Sequence, residues 1–257
     1  MRKIIFFLII ASSLFAKFNI KNIVGDKIYS EYKGLIQTIQ NETNSSNLAQ
    51  TITLLKENGL IQLFFDKPKV IHPTFVFINN NPEFNTKTLY TTLKNLGYYY
   101  FFPSNIEKDT NYSITIEMLS THHIDPVNFI NQISTYGCNV INLENKGDFV
   151  YTIDCKNEYL PVPKITADTK AYLNVKGEYW FDTNGFKTVL VSTSKFDKWH
   201  PYIAFYDKNL NLITVFTSQN IQRKVKLNLT NDTKYIKIRD NFTKENIKRG
   251  IFIKGIQ

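Results

Sequence analysis

Cysteine is nearly absent from this sequence: among its 257 residues, it occupies only positions 138 and 155. This scarcity excludes the cysteine-dense scaffolds of small secreted proteins and any zinc or redox site built on a CxxC pair. The HExxH, GxSxG, GxGxxG and P-loop patterns are absent as well, which excludes the common metalloprotease, serine hydrolase and nucleotide-binding signatures. Catalytic residues dispersed along a chain leave no such signature, so an enzyme of that kind stays open.

Long apolar runs are missing except at the start of the chain. There, Arg2 and Lys3 precede an apolar stretch at positions 4–14, and Ala16 ends it. This form is typical of a secretory signal peptide, and the stretch is far below the roughly 20 residues that span a bilayer. We therefore expect residues 1–16 to be a signal peptide and the mature chain to be periplasmic. The residue two positions before Ala16 is leucine rather than a small residue, so an uncleaved anchor is the alternative.

The two cysteines stand at the ends of one predicted hairpin. A polar cluster, Asn145–Asp148, separates two apolar runs and contains a glycine, as tight turns do. With a two-residue loop at Lys146–Gly147, Cys138 faces Cys155 at a non-hydrogen-bonded pair, where Cα atoms are about 4.5 Å apart. A three-residue loop would shift the register by one and place the sulfurs on opposite faces. We predict a disulfide, which export would permit; two unrelated buried thiols are the alternative.

The positive charge of the chain is concentrated at its C-terminal end. The formal net charge is +9, and two of the basic side chains lie in the predicted signal peptide. Residues 17–219 carry equal numbers of basic and acidic side chains, whereas residues 220–257 carry ten basic and three acidic ones. The net charge of the mature chain is therefore located in this last segment.

Two predicted strands of this basic segment direct cations to solvent. Lys224 and Lys226 alternate with apolar residues in the first strand, and Lys237 and Arg239 do so in the second. If the strands are neighbours, the four cations share one outer face. Such a face would bind anionic envelope material, with an affinity that falls as the salt concentration rises. An ordinary solvated surface is the alternative.

Two regions precede the C-terminal one. Residues 17–69 show helical periodicity and then a short apolar strand that is predicted to end at Pro68. Residues 70–158 have the order βαββα followed by the cysteine hairpin, and this pattern resembles a ferredoxin-like split βαβ module with one extra strand. The aromatic run at 98–103 predicts a core strand within it.

After a proline-containing linker, residues 168–257 show only strand patterns, about seven of them with regular spacing, which favours a β-sandwich. The stretches GEYWFD, HPYIAFYDKNLNLI, KVKLNL, TKYIKI and GIFIKG resemble bacterial jelly-roll modules of the pre-peptidase C-terminal or galactose-binding-like type. The resemblance implies a binding or accessory module rather than a catalyst. It transfers no ligand residue to this chain.

Few side chains are candidates for ligand binding. His122, His123 and Asp125 are close in sequence, but adjacent residues of a strand point to opposite faces, so we predict no metal site and no cofactor. Trp199 lies in a predicted loop, where it would cap the core or stack on a sugar ring.

Two asparagines fit the requirements of bacterial N-glycosylation. Asn44 and Asn111 each lie in an N-x-S/T sequence. Glu42 and Asp109 precede them by two positions, where bacterial oligosaccharyltransferases require an acidic residue. Both asparagines are in predicted loops, which can accommodate a glycan; ordinary loop composition is the alternative.

These observations predict an α+β protein: an N-terminal helical segment, a ferredoxin-like α/β sandwich and a C-terminal, all-β, jelly-roll-like sandwich. We expect a periplasmic, non-enzymatic binding or assembly protein of the bacterial envelope, such as an accessory part of a secretion or motility machine. Its partner would be a protein or an anionic envelope polymer, not nucleic acid. An envelope hydrolase anchored by its sandwich is the alternative. A pocket with convergent carboxylates or histidines would favour the hydrolase, and an exposed apolar patch or edge strand would favour assembly.

Overall fold

The computed structural model describes residues 18–43, 47–79, 81–173 and 177–256. Over these ranges the chain is a mixed α+β protein with few helices and many strands, which form three sheets. The predicted α+β class is therefore confirmed. Contacts within the chain define two compact units, and the domain boundaries proposed from the sequence stay predictions. Unit 1 contains the described residues before position 80, Thr92–Ser134 and Cys138–Lys156; unit 2 contains Asn81–Thr91, Thr135–Gly137 and the described residues from Asn157 onward.

Some α-helices of the described ranges begin at a polar residue whose side chain caps the first turn. The side chain of Asn47 accepts the backbone N–H of Gln50 at 3.0 Å, and Asp125 accepts that of Val127 at 2.9 Å, as N-cap residues do. Pro126 follows Asp125 in the first turn, where a missing N–H costs no hydrogen bond. The helices are α1 (Ile20–Val24), α2 (Asp26–Glu31), α3 (Lys33–Glu42), α4 (Leu48–Glu57), α5 (Pro82–Asn95) and α6 (Pro126–Ser134).

A mixed sheet forms the centre of unit 1. Strand β4 is antiparallel to β1, β2 and β3, and β2 is parallel to β6, which forms a hairpin with β5. The buried face of the sheet packs on α6, because the rings of Phe75 and Tyr151 lie 5.0 and 4.7 Å from the ring of Phe129. The strands are β1 (Phe64–Ile71), β2 (Thr74–Phe77), β3 (Phe102–Lys108), β4 (Tyr112–His122), β5 (Asn139–Asn145) and β6 (Phe149–Asp154).

Strands β1 and β2 follow one register along β4. Ile71 pairs with Met118 and Thr74 with Thr115, so the break between the strands neither adds nor removes a residue. His72 and Pro73 occupy this break.

The prediction that Pro68 ends the first strand is wrong, because β1 continues through it. The register between β1 and β4 is irregular between Phe64 and Lys69. Such an irregularity leaves residues outside the ladder, and a proline without an N–H fits there.

The predicted core strand at 98–103 is also wrong. Strand β3 begins only at Phe102, and Tyr99 and Tyr100 are 67% and 94% exposed. Every residue of β3 is exposed. Aromatic residues favour strands only where neighbouring strands bury them, and here β2, β4 and β6 supply the buried side chains instead.

The disulfide between Cys138 and Cys155 is confirmed. The two Cα atoms are 4.1 Å apart, and both residues are fully buried. The bond joins the residues that flank the open ends of β5 and β6.

The turn of this hairpin differs from the prediction. Asn145 pairs with Phe149, so the loop has three residues rather than two, and Gly147 has a positive φ of 95°. A bulge between Val140 and Asn142 then shifts the register by one. The bulge offsets the longer loop, and the cysteines end opposite each other.

Unit 2 contains two four-stranded antiparallel sheets with the orders β11-β10-β13-β8 and β12-β9-β14-β7. One hydrophobic core includes residues of both sheets, for example Phe181 and Ile238 of the first and Val191 and Ile253 of the second. Lys170–Tyr172 and Glu178–Asp182 form separate strands, one in each sheet. The strands are β7 (Lys170–Tyr172), β8 (Glu178–Asp182), β9 (Thr188–Thr193), β10 (Pro201–Tyr206), β11 (Leu212–Thr217), β12 (Lys224–Asn228), β13 (Tyr235–Asp240) and β14 (Ile251–Ile256).

The predicted signal peptide, residues 1–16, lies outside the described residues. None of the helices that the structure describes has the length and apolar character needed to cross a membrane. Export and cleavage stay predictions.

Candidate functional site

Three exposed apolar side chains lie on one face of the unit 1 sheet. Leu119 is 71% exposed and pairs directly with Val70, which is 48% exposed. Phe102, which is 55% exposed, pairs with Glu117 on the β3 side of the same strand. Directly paired residues project from the same face, as do residues two positions apart in a strand. We call Val70, Phe102 and Leu119 the apolar strip.

The apolar strip lies on the sheet face opposite to α6. Phe75 pairs with Ile114, and both are fully buried, whereas Leu119 has the opposite alternation along β4. The helix therefore cannot cover the strip, which explains why three large apolar side chains remain in solvent. Contiguous exposed apolar residues are typical of surfaces that bind another protein.

Sequence reasoning missed the apolar strip, although β4 carries a signal for it. The residues of β4 that project from the open face are otherwise polar or charged, and Leu119 breaks this pattern. An apolar residue at a solvent-facing position of an alternating strand indicates such a surface.

A row of ionisable groups lies beside the apolar strip. Nε2 of His72 is 3.3 Å from Oε2 of Glu117, and the backbone N–H of His72 donates to Oδ2 of Asp148 at 2.8 Å. On the other side of the same carboxylate, Nδ1 of His123 is 3.4 Å from Oδ1 of Asp148. The row connects the break between β1 and β2 to the loop of the cysteine hairpin.

The surroundings of His123 favour the neutral form of its ring. Burial lowers the pKa of His123 below its ordinary value of 6.5, the Asp148 carboxylate opposes this shift, and Lys69 and His122 add to it. The ring packs edge-on against Phe65 at a centroid distance of 4.6 Å. This contact with an aromatic ring makes His123 part of the packing of unit 1.

The predicted absence of a His122, His123 and Asp125 metal site is not contradicted. Across the described ranges, no three His, Cys, Asp or Glu side chains are arranged to hold a metal ion. Nε2 of His122 is instead 3.1 Å from the Tyr98 hydroxyl, and Asp125 pairs with Lys56 at 2.5 Å.

A cavity of about 630 Å³ in unit 1 is lined by Lys56, His122 and Asp125, among others. Its ionisable side chains are already engaged: Asp125 both caps α6 and pairs with Lys56, and both ring nitrogens of His122 contact hydroxyls. These hydroxyls belong to Tyr98 and Thr121, which do not line the cavity, and no serine, threonine or cysteine is among its lining residues. The lining residues are Lys56, Gly59, Ile61, Gln62, Leu63, Phe64, His122, Asp125 and Asn128.

The four predicted surface cations do not share a face. Lys224 and Lys226 belong to β12, and Lys237 and Arg239 belong to β13, which is in the other sheet of the sandwich. Their outer faces point in opposite directions because the two sheets share the core between them. The sequence showed the alternation of each strand correctly but gave no information on strand partners.

Lys237 and Arg239 also have partners on their own face. Nζ of Lys237 is 3.4 Å from Oε2 of Glu178, and the guanidinium of Arg239 lies 4.0 Å from the ring centre of Tyr202. Lys237 is therefore partly neutralised, and Arg239 is held against an aromatic ring.

Trp199 is not a surface residue. It is fully buried, and its indole N–H donates to the carbonyl of Arg239 at 3.0 Å. Capping of the core, one of the two predicted roles, fits this position, and stacking on a sugar ring is wrong because no face of the ring is exposed.

The other tryptophan, Trp180, lies at a cavity. It is half-buried and lines a space of about 560 Å³ in unit 2, together with Tyr172 and Pro161. Its indole N–H donates to Oε1 of Glu178 at 3.0 Å. Sequence reasoning missed it, although its solvent-facing position between the buried residues Tyr179 and Phe181 is visible in GEYWFD.

Of the two predicted glycosylation sites, Asn44 lies outside the described residues. Asn111 is exposed in the turn that joins β3 to β4, and Asp109 is exposed beside it. An exposed hairpin turn is accessible to a modifying enzyme, so glycosylation of Asn111 stays a prediction.

We expect protein isolated from its native source to carry a glycan at Asn111. Mass spectrometry of the peptide that contains this residue should show the added sugar. The Asp109→Ala variant should lack it, because the acidic residue is removed while the asparagine remains. Asn231 is a matched control. It is exposed in an N-x-T sequence, but the residue two positions before it is Leu229 rather than an acidic residue. Modification of both asparagines, or of neither, contradicts the prediction.

Comparisons with known proteins give no relative. No protein-family model matches this chain, and no match arises among curated proteins or solved structures.

Proposed function

We propose that this chain is an exported, periplasmic, non-enzymatic assembly protein of the bacterial envelope, which binds a partner protein through the apolar strip. The observation that carries the proposal is the direct pairing of exposed Val70 with exposed Leu119, next to exposed Phe102. Burial of these side chains against a partner removes apolar area from water, which favours binding by about 25 cal/mol for each Å² buried. Edge strand β3, exposed along its whole length, extends the same surface.

We propose two finer fold assignments. Counted from β7, the strand orders of unit 2 are 6-3-8-1 and 5-4-7-2, and this connectivity supports a jelly-roll module, which consists of two four-stranded sheets. Along the chain, the succession β2-α5-β3-β4-α6 and the antiparallel contacts of β4 support a ferredoxin-like module. The parallel strand β6 beside β2 is a departure from an all-antiparallel sheet.

An envelope hydrolase is the second candidate, and the unit 1 cavity with Lys56, His122 and Asp125 is the observation that favours it. These groups bind one another or cap α6, and the described lining lacks a hydroxyl or thiol nucleophile. We therefore favour assembly. Release of soluble fragments from purified cell wall by the chain would identify the hydrolase.

The proposal predicts that Leu119→Lys weakens binding to the envelope. A charge at the centre of an apolar contact must be desolvated, so we expect about 30-fold weaker retention, corresponding to about 2 kcal/mol. The measurement is co-sedimentation of the purified mature chain with the envelope fraction of the producing bacterium, with and without prior protease treatment of that fraction. It is made at high ionic strength, which screens electrostatic attachment to anionic surfaces.

The matched control is Leu212→Lys, since Leu212 is a comparably exposed leucine in unit 2, at 56%. It should leave retention unchanged, and protease treatment of the envelope should abolish retention of the unmodified chain. Equal retention by the two variants, or full retention on a protease-treated envelope, would show that no protein partner binds the apolar strip.

A further inference from the structure

Three lysines share the outer face of the second sheet of unit 2. Lys226 of β12 and Lys254 of β14 both pair with Leu190 of β9, one from each side. Lys224 lies two residues before Lys226 on the same strand, so it projects from the same face. Sequence reasoning included two of these residues but not Lys254, because only the tertiary structure places β14 beside β9.

Acidic side chains are absent from the paired positions of this face. Lys224 pairs with Ser192, which pairs on its other side with Phe252. Thr188 likewise lies between Asn228 and Ile256. None of the three lysines has a carboxylate at ion-pair distance among the described residues, whereas Lys234, Lys237 and Arg249 of unit 2 each have one. We call Lys224, Lys226 and Lys254 the lysine face.

The lysine face also carries apolar side chains. Leu190, Phe252 and Ile256 are half-buried and project from the same side of the sheet as the lysines. Neighbouring strands lie about 4.8 Å apart, so Lys226 and Lys254, separated by one strand, start from backbones roughly 10 Å apart. The surface is thus cationic, with apolar groups between separate ammonium groups.

We propose that the lysine face binds the surface of a membrane that contains anionic phospholipids. Separate cations spread over three strands of one sheet face match an extended surface with many phosphate groups, whereas one small anion would need donors that converge on it. The half-buried apolar side chains fit the boundary between headgroups and acyl chains. The inference goes beyond the proposed protein partner, because the apolar strip belongs to unit 1 and the lysine face to unit 2.

The expected size of the effect follows from the number of cations. A basic residue near an anionic bilayer surface strengthens partitioning roughly fivefold, and three of them do so roughly 100-fold. The attraction acts within a Debye length of about 8 Å at physiological salt and weakens as salt rises. Binding should therefore require anionic lipid and low or moderate ionic strength.

The experiment measures co-sedimentation of the mature full-length chain with lipid vesicles. One set of vesicles contains phosphatidylcholine mixed with phosphatidylglycerol, and the other contains phosphatidylcholine alone. We expect binding to the mixed vesicles only, with release at high salt. Binding to both vesicle types alike, or binding that high salt does not weaken, overturns the proposal.

Two triple variants with equal loss of charge locate the effect. Lys224→Gln/Lys226→Gln/Lys254→Gln should lower the partition coefficient roughly 100-fold. Lys208→Gln/Lys237→Gln/Arg239→Gln removes three cations of the other sheet and its β10–β11 turn, and it should lower the coefficient less than about threefold. Thermal unfolding of both variants checks that unit 2 remains folded.

Other outcomes contradict the proposal. An equal loss in the two variants would mean that net charge alone attracts the chain to the vesicles. Release of the bound chain by inorganic phosphate at constant ionic strength would identify a small-anion site instead of a lipid surface. Neither outcome affects the proposed protein partner, whose test depends on Leu119 and on protease treatment.

Discussion

We expect unfolding of the Cys138→Ser/Cys155→Ser variant to require about 3 kcal/mol less free energy than unfolding of the oxidised protein. The disulfide closes a loop with a sequence separation of 17 residues, and loss of this restraint increases the entropy of the unfolded chain. Both cysteines are fully buried, so two hydroxyl groups without assured partners replace them, which adds to the destabilisation. The measurement is urea unfolding, followed by fluorescence.

Reduction provides the control for this prediction. Unfolding in the presence of a reductant should lower the stability of the unmodified protein towards that of the variant and leave the variant unchanged. Two free thiols in the unfolded, unreduced protein would contradict the disulfide itself. Equal stability of variant and oxidised protein would mean that the hairpin is already ordered in the unfolded state.

The Asp240→Ala substitution should destabilise unit 2 by about 3–4 kcal/mol. The Asp240 side chain is fully buried. Its carboxylate accepts the backbone N–H groups of His200 at 2.7 Å, Phe242 at 2.8 Å and Thr243 at 3.0 Å, and the side-chain amide of Asn246 at 3.0 Å. Alanine leaves these donors without an acceptor in a part of the molecule that water does not reach easily.

Asp240→Asn is the matched control, and it also tests the pH dependence. The amide oxygen keeps the bonds from Phe242 and Thr243, but its NH₂ group faces the N–H of His200, so we expect a loss of about 1–2 kcal/mol. Burial raises the pKa of Asp240, while the hydrogen bonds from His200, Phe242 and Thr243 lower it by more, so the pKa lies below its ordinary value of 3.8.

A carboxyl group with a lowered pKa stabilises the folded state above its unfolded pKa, and this contribution is lost as the pH falls through the folded pKa. The difference in unfolding free energy between the unmodified protein and Asp240→Asn should therefore be constant at neutral pH and shrink below about pH 4. Denaturant unfolding across this range measures it. A difference that is independent of pH would show that Asp240 is not ionised in the folded protein.

The candidate site shows which features the sequence reveals. The disulfide could be predicted, because polar turn residues and two flanking cysteines are close in the chain. The apolar strip was missed, although Leu119 interrupts the polar positions of β4. The shared face of Lys226 and Lys254 could not be predicted, since residues in distant strands become neighbours only through the pairing of both strands with β9.

The sequence by itself determined the cap of α6, the alternation within β12 and β13, and which two cysteines join. Caps such as Asp125 and the alternation of β12 depend on residues within one turn or one strand, so a local pattern contains them. Only the tertiary structure decided that β1 passes through Pro68, that the aromatic run at 98–103 is exposed, and that β12 and β13 lie in different sheets. Strand partners depend on contacts between distant residues, which no local pattern encodes.

The cysteine hairpin combines features that the sequence reveals with features that only the tertiary structure decides. Its polar cluster and its cysteines are visible in the sequence, but its three-residue loop and the bulge near Val140 are not. A bulge adds one residue to a strand, and no particular amino acid marks its position in the sequence. The bulge is stable here because it brings Val140 and Leu143 to the buried side and the cysteines into contact. The sequence thus determined which residues the bond joins, and packing of the sheet decided the register through which they meet.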